Sequence, residues 1–180
     1  TLFGNKLTNT NVINDVFDFM LGRFEAHYRD HGVTVEIIRA VEVKKPTSAL
    51  DFDKRLKAVV EFSKLPEAKA LAAANKRVNN ILNKNAKTSF DAINETLLAE
   101  DAEKQLVSKI AAIGPGVEAD FTNGDYSKGL TALAALQTEI DTFFENVMVN
   151  DENEAIKNNR YAILGRLQSL FMHTADISVL

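Results

Sequence analysis

The 180 residues carry 21 Lys and Arg against 25 Asp and Glu, a formal net charge of −4. Hydrophobic residues make up 46% and charged residues 26%, which is typical of globular proteins and excludes disordered and collagen-like chains. A mildly acidic chain lacks the overall basic charge of most nucleic-acid-binding proteins, and the absence of Cys excludes disulfides, thiol catalysis and Cys-based zinc sites.

Helical periodicity dominates the chain, because apolar residues recur at spacings of three and four and only 8 Gly and 3 Pro interrupt them. Helix starts are predicted at Asn11, Thr34, Ser48, Pro66, Asp125 and Asp151, with a further helix over the apolar residues from Leu98 to Ile113. The first helix ends at Gly32 and the second at Lys44-Lys45-Pro46, and Gly114-Pro115-Gly116 is expected to kink or end the fifth. The polar segment Asn83–Ser89 is predicted to be a loop.

These elements predict an all-α fold, an antiparallel bundle of about six or seven helices. The length fits one domain covering residues 1–180. No apolar run approaches the roughly 20 residues of a membrane-spanning helix. Because the chain opens at Thr1 rather than Met, we expect a fragment of a longer cytoplasmic protein.

The sequence offers no constellation of catalytic residues. His27 and His31 are four apart, a spacing that suits two metal ligands on one helix face, but His31 next to Gly32 is explained more simply by the helix dipole. Gly114-Pro115-Gly116 lacks the Lys-Ser/Thr of a phosphate-binding loop. We therefore predict no catalytic residue, no metal site and no cofactor in this chain.

Charge is distributed unevenly along the sequence. Residues 1–90 hold 15 Lys and Arg against 10 Asp and Glu, whereas residues 91–180 hold 6 against 15. The positive charge concentrates on three consecutive predicted helices, in Arg39, Lys44, Lys45, Lys54, Arg55, Lys57, Lys76 and Arg77. Each of these side chains taken singly is also explained as part of a solvated face.

The predicted fourth helix combines cations with amides. Its periodicity turns Val78, Ile81 and Leu82 inward and leaves Lys76, Asn79, Asn80 and Asn83 on more exposed sides. Asn has a weak helix propensity, so a row of Asn residues in a helix indicates selection for something besides helix stability. Base edges or backbone groups are plausible targets of amides beside cations.

The segment Ala72–Leu82 resembles the C-terminal region of the bacterial glycyl-tRNA synthetase beta subunit family. Further matching segments keep the order of that family and extend the resemblance over nearly the whole chain: Arg39-Ala40-Val41, Lys45-Pro46-Thr47, Asp51-Phe52-Asp53, Arg55–Val59, Phe143-Phe144, Val147-Met148-Val149, Asn159-Arg160 and Ala175–Ser178. The sequence departs from the family pattern at Gly114-Pro115-Gly116 and in the polar segment Asn83–Ser89.

The resemblance implies an anticodon-binding domain of the helical DALR type shared with arginyl-tRNA synthetase. In such a heterotetrameric ligase the alpha subunit is expected to hold the glycine, ATP and Mg site, and the beta subunit is expected to bind the tRNA. This chain is then a non-catalytic part of a glycine–tRNA ligase, and its partners are the anticodon stem-loop of the glycine tRNA and the alpha subunit.

Glycine codons begin with two guanines, so the anticodon offers two fixed cytosines to such a domain. A splayed cytosine presents an amino donor and neighbouring acceptors. The phosphates of the stem are expected at Lys44, Lys45, Lys54, Arg55 and Lys76, with Arg39 in the same basic set. Base-proximal or loop-ordering roles are assigned to Arg77, Asn80 and Arg160, although Arg77 and Arg160 are equally explained by ion pairs with acids of a neighbouring helix.

Two other functions remain open from the sequence. A helical docking or scaffold module for the alpha subunit, or for the rest of beta, needs little direct RNA contact, and the apolar end Ile177–Leu180 fits such docking or closure of the core. An independent enzyme is disfavoured by the missing His, Cys and glycine-loop constellations.

Overall fold

The computed structural model describes residues 9–85 and 89–180, and within these ranges the protein consists of helices without a strand. Eight α-helices follow one another: α1 (Val12–Asp30), α2 (Val35–Glu42), α3 (Ala49–Phe62), α4 (Ala68–Lys84), α5 (Asp101–Thr122), α6 (Tyr126–Ala134), α7 (Gln137–Asn146) and α8 (Glu154–Met172). Short 3-10 helices lie at Glu95–Leu97 and Ile177–Val179. The all-α prediction is confirmed.

Gly114-Pro115-Gly116 neither ends nor divides α5, so the predicted termination there is wrong. Proline in a helix interior removes one backbone hydrogen bond and costs about 3 kcal/mol. Apolar residues beyond the proline, Val117 and Phe121, are buried. Burial of this second half of α5 therefore offsets the local cost and keeps the helix continuous.

The predicted sixth helix is divided into α6 and α7, which gives eight helices rather than six or seven. Its backbone hydrogen bonds tighten to a spacing of three at the division, where the Leu136 amide donates to the Leu133 carbonyl. Leu136 is fully buried there, together with Ile140 one turn later. The break thus lets Leu136 point into the core. A continuous helix would give this side chain a different direction.

Other boundaries differ less. The helix α4 begins two residues after Pro66 and continues through Asn83 to Lys84. The predicted loop Asn83–Ser89 is therefore partly helical, and residues 86–88 of it lie outside the described residues. Leu98 precedes α5, which starts at Asp101 behind a capping box in which the Glu103 carboxylate accepts from the Glu100 amide at 2.7 Å.

The hydrophobic core draws on α2 to α8, while α1 contributes no fully buried residue. Phe24 and Tyr28 of α1 contact Phe52 of α3, with ring centroids 6.3 and 6.0 Å apart. The first half of α1 leaves Ile13 and Phe19 exposed. No helix among the described residues combines the length and the apolar character needed to cross a membrane.

The last residues of the chain lie between α2 and α4. The Asp176 amide donates to the Ala40 carbonyl of α2 at 2.8 Å, and the 3-10 helix that follows packs against both helices. Ile177 is fully buried, whereas Val179 is 42% exposed. Of the two roles that the sequence leaves open for this end, closure of the core is the one that Ile177 performs.

Candidate nucleic-acid interface

The helix α4 has the two-sided character that its sequence predicts. Val78 and Leu82 are buried, whereas Lys76, Asn80 and Asn83 are exposed. Ile81 and Asn79 are half-buried, so Asn79 is less exposed than predicted. The side chains of Lys76, Asn80 and Asn83 have no hydrogen-bond or ion-pair partner among the described residues. Their donors and acceptors are therefore available to a ligand.

A groove of about 750 Å³ runs between α4 and the end of the chain. We call it the α4 groove. Its α4 side and its opposite side are lined by Lys69, Ala72, Ala73, Lys76, Asn79, Asn80, Asn83, Asp176, Ser178, Val179 and Leu180. Cations, amides and one carboxylate thus share a groove with a few apolar side chains.

A chain of hydrogen bonds orders the far side of the α4 groove. Gln168 Nε2 donates to Asn79 Oδ1 at 2.6 Å, and Asn79 Nδ2 donates to Ser178 Oγ at 3.1 Å. Ser178 Oγ in turn donates to Asp176 Oδ1 at 2.6 Å. Each donor polarises the next, so the carboxylate of Asp176 is held in one orientation by α4 and α8 together.

Beside this groove two cations and a histidine lie close together: Lys44 after α2, Arg55 of α3 and His173 at the end of α8. Burial, reinforced by Arg55 and opposed by Asp176, lowers the pKa of the Lys44 ammonium. Burial, together with the charges of Arg55 and Lys44, lowers the pKa of His173. Because burial and neighbouring positive charge disfavour the charged forms of Lys44 and His173, an anion such as a phosphate beside them would stabilise those forms.

Arg55 also holds the fold together. Its Nε donates to Asp51 Oδ2 at 2.8 Å, and its Nη1 donates to the carbonyls of His173 and Thr174 at 2.7 and 3.0 Å. Its guanidinium lies 4.3 Å from the centre of the Tyr126 ring. Arg55 therefore joins α3 to α6 and to the end of α8.

Lys45, Lys54 and Arg39 are exposed around the same end of the molecule. Lys45 lies in the turn that ends α2, with a positive φ of 46°. The Lys54 ammonium lies over the turn between α5 and α6, where a Cβ on Gly124 would approach it to 3.4 Å. Arg39 is exposed on α2 and forms no ion pair among the described residues.

Arg77 faces away from the α4 groove. Its guanidinium lies 4.3 Å from the centre of the Phe144 ring of α7, a cation–π contact between the two helices. No carboxylate in the described part of the chain pairs with it, so its partner is an aromatic ring rather than the acid considered from the sequence. Its position on α4 separates it from Lys76 and Asn80.

Arg160 is enclosed by the fold, with 3% of its surface exposed. Its Nε donates to Glu103 at 2.7 Å, and its Nη1 donates to Asp151 at 2.7 Å and to the Met148 carbonyl at 2.8 Å. Glu103 itself is fully buried. Of the two roles left open by the sequence, Arg160 takes the structural one, and it offers no exposed charge to an RNA.

Three residues of this surface carry no signal of their own in the sequence. Asp176 belongs only to a matching segment, His173 is one of three histidines, and Asn79 is one of a row of amides. Tertiary contacts bring them to this surface: Asn79 of α4 is linked to Asp176 through Ser178, and His173 contacts Arg55 of α3. Pattern and spacing along one helix do not reveal such contacts. The spacing of Asp176 and Ser178, an acid two residues before a hydroxyl, is the pattern from which the cap of the last 3-10 helix could have been predicted.

The two histidines of α1 lie apart from this surface. His31 Nδ1 is 2.7 Å from the His27 carbonyl, at the end of the helix. Within the described residues no group of three or more His, Cys, Asp or Glu side chains is arranged to hold a metal ion.

The chain is similar in sequence to a known family of domains and to known proteins. Residues 71–177 match the model of the DALR anticodon binding domain. The chain is 51% identical over 180 residues to the glycine–tRNA ligase beta subunit of Pseudoalteromonas translucida, 52% identical over 179 residues to that of Haemophilus influenzae, and 50% identical over 180 residues to that of Aliivibrio fischeri. These matches cover 99 to 100% of this chain and 26% of each relative, so the chain spans about a quarter of their length.

Proposed function

This chain belongs to the family of DALR anticodon-binding domains, and from that premise we propose that it binds the anticodon stem-loop of the glycine tRNA as part of a glycine–tRNA ligase beta subunit. The observation that supports the proposal best is the juxtaposition of the α4 groove with the cations Lys44 and Arg55. The segment 173–180 joins them, because Asp176 lines the groove and also lies within electrostatic range of Lys44.

Two kinds of contact follow from this arrangement. Lys44, Lys45 and Lys54 meet phosphates of the stem, and such contacts set affinity and orientation without reading sequence. Lys76 and Asn80 lie where an unstacked base of the loop would enter the α4 groove. Sequence-specific RNA recognition uses unstacked bases of this kind.

The remaining parts of the activity lie elsewhere in the proposed enzyme. The residues of this chain act as a single tRNA-binding domain of residues 1–180, and we assign no catalytic residue to it. Glycine, ATP and Mg are assigned to the alpha subunit of a cytoplasmic heterotetramer. The relatives, which are named as glycine–tRNA ligase beta subunits, support the ligase, and the role of the alpha subunit follows from the family resemblance.

The test is binding of the glycine-tRNA anticodon stem-loop between 50 and 200 mM salt, compared with a loop in which the cytosines are changed. We expect the double variant Lys44→Ala/Lys45→Ala to weaken binding of both loops and to reduce the salt slope by about 1 for each phosphate that is no longer neutralised. The matched control is Lys104→Ala/Lys109→Ala on α5, which removes the same charge from the acidic half of the chain.

The outcome that overturns the phosphate assignment is equal affinity and equal slope in the Lys44/Lys45 variant and the wild type. Equal weakening in both double variants would assign the effect to net charge alone. The function itself fails if the wild type binds the glycine stem-loop no better than unrelated stem-loops.

A second candidate is favoured by the exposed apolar side of α1. Ile13 is 81% exposed and Phe19 is 60% exposed, which is unusual for large apolar residues on one helix. A docking module for the alpha subunit would use such a surface. Gel filtration with the alpha subunit, with and without tRNA, separates the two: stable binding of alpha with no RNA affinity favours docking.

A further inference from the structure

Asp176 lines the α4 groove, and its two carboxylate oxygens differ in their hydrogen bonding. Its Oδ1 accepts from Ser178 Oγ at 2.6 Å and from the Ser178 amide at 3.1 Å. Its Oδ2 has no donor among the described residues. One acceptor oxygen is therefore consumed by the cap of the last 3-10 helix, and a single acceptor is left for a ligand.

Donors line the opposite side of the same groove. The Lys76 ammonium and the Asn80 amide belong to adjacent turns of α4 and have no partner in the described part of the chain. Val179 and the alanines Ala72 and Ala73 supply apolar surface between the two sides. The groove thus brings one free carboxylate oxygen opposite the donors of Lys76 and Asn80, with Lys69 and Asn83 as further polar groups on the α4 side. Such polar groups beside apolar walls are the elements that hold a planar polar ring.

This set of groups favours cytosine over guanine and uracil. Guanine presents two adjacent donors that need both oxygens of a carboxylate, and here Oδ1 is already occupied. Uracil presents a carbonyl oxygen where cytosine has its amino group, and a carboxylate repels it. Cytosine presents one amino donor next to two acceptors, N3 and O2, which match one carboxylate oxygen and two donors.

We infer that the α4 groove takes one unstacked cytosine, whose amino group donates to Asp176 Oδ2 and whose acceptors face Lys76 and Asn80. The inference rests on the proposed function and adds to it the residue that distinguishes cytosine from uracil. Asp176 is a specificity-determining residue in this assignment, and Gln168, Asn79 and Ser178 are positioning residues that fix its orientation.

The decisive variant is Asp176→Asn. Asn caps a helix as well as Asp does, so the bonds from Ser178 to Oδ1 are retained. The free oxygen becomes an amide donor, which suits the uracil carbonyl and not the cytosine amino group. The measurement is the affinity ratio between the glycine stem-loop and two loops in which one anticodon cytosine or the other is replaced by uracil.

For the wild type we expect about a tenfold preference for cytosine at one of the two positions, the size of one base contact. In Asp176→Asn the preference at that position falls to about one or inverts, while the preference at the other cytosine is unchanged. The ratio is used because removal of a negative charge strengthens RNA binding generally. Asp101→Asn, on the exposed start of α5, is the matched control for that change of charge.

Asn80→Ala provides an independent test that does not depend on the cap. Asn80 is exposed on a helix, and Ala favours helix, so the variant is expected to fold. Its affinity for the cytosine loop is expected to fall several-fold, and its affinity for the uracil loop is expected to stay the same. A phosphate contact would weaken both loops equally.

The outcomes separate this inference from the proposed function. If the wild type prefers the glycine stem-loop but Asp176→Asn and Asn80→Ala leave both cytosine ratios unchanged, the α4 groove is not the cytosine site, although the domain still binds the anticodon. If the wild type binds no stem-loop selectively, the proposed function fails and the inference with it.

Discussion

At the scale of single residues, Arg160 shows how charged side chains of this protein serve its structure. Its guanidinium bridges Glu103 of α5 and Asp151 before α8, and both Arg160 and Glu103 are almost fully buried. We expect Arg160→Met to lower the free energy of unfolding by about 3 to 5 kcal/mol, because it leaves the Glu103 carboxylate buried without a counter-ion. Urea denaturation followed by circular dichroism measures the destabilisation.

The double variant Arg160→Met/Glu103→Gln is the control for that prediction. It removes the stranded charge, so it is expected to be more stable than Arg160→Met alone. Equal stability of the single and double variants would show that the destabilisation comes from packing of the arginine rather than from an unpaired carboxylate.

Lys45 combines an exposed cation with a strained backbone. Its φ of 46° lies in the left-handed region, which costs a residue with a Cβ roughly 1 to 2 kcal/mol. We expect Lys45→Gly to raise the free energy of unfolding by about 0.5 to 1 kcal/mol, since part of that gain is offset by the greater freedom of Gly in the unfolded chain. Thermal and urea denaturation measure it.

Lys45→Ala is the matched variant, because it removes the same ammonium and keeps the Cβ. The RNA affinity of the two variants is expected to fall equally, while only Lys45→Gly gains stability. This result is expected if the ammonium of Lys45 contributes to binding and its backbone conformation costs stability. Equal stability of the two variants would show that the positive φ at residue 45 costs nothing.

At the scale of elements, Gly116 of α5 and Gly165 of α8 differ in whether a side chain would fit. A Cβ on Gly116 meets nothing within 4 Å, whereas a Cβ on Gly165 would collide with the Phe90 ring. We expect Gly116→Ala to stabilise the protein by about 0.5 to 1 kcal/mol. Gly165→Ala is expected to destabilise it by about 1 to 3 kcal/mol, because Phe90 must leave its place on α8.

Differential scanning calorimetry on the two glycine variants distinguishes the explanations. A shift of the melting temperature in the same direction for both would mean that helix propensity alone decides, and that the contact between Phe90 and α8 contributes nothing. Opposite shifts are the expected result.

The helices themselves could largely be predicted from the sequence, and the places where prediction failed share one cause. Apolar spacing and caps predict seven helices where the described residues form eight, because one predicted helix covers both α6 and α7. The family resemblance carried by Ala72–Leu82 is confirmed. The continuation of α5 through Pro115 and the break before Leu136 depend on burial against other helices. Local propensity contains no information about that burial, so single-residue rules misplace both.

At the scale of the whole molecule, the charges of the two halves of the sequence have different roles. Several carboxylates of residues 91–180 are bound internally, as in the pairs of Glu103 with Arg160 and of Glu118 with Arg166. Many cations of residues 1–90 remain exposed. The basic part of the candidate site was therefore predictable from the charge difference between residues 1–90 and 91–180. Asp176 and His173 were not predictable in this way, because the end of the chain joins the site only through tertiary contacts.

The proposed binding of RNA beside Lys44 and Arg55 would be linked to protonation of His173. Its ring stacks on Phe121 at 5.2 Å, with Glu118 of α5, Arg55 of α3 and Lys44 around it. Burial, then Arg55 and Lys44, lower its pKa, so the imidazole is neutral at pH 7 and the unfolded chain takes up a proton first as the pH falls below about 6.5. This contribution to stability is complete above about pH 6.5 and disappears as the pH falls towards the lowered pKa.

A phosphate bound beside Lys44 would shift the pKa of His173 in the opposite direction. The negative charge of the anion would raise this pKa towards or above its ordinary value. We therefore expect the affinity for the glycine stem-loop to rise several-fold from pH 8 to pH 6 in the wild type, with one proton taken up, and to stay flat in His173→Gln. The double variant His27→Gln/His31→Gln, on α1, is expected to retain the full response. Fluorescence anisotropy at constant ionic strength measures all three, and a pH response that survives in His173→Gln would place the phosphate away from this cluster.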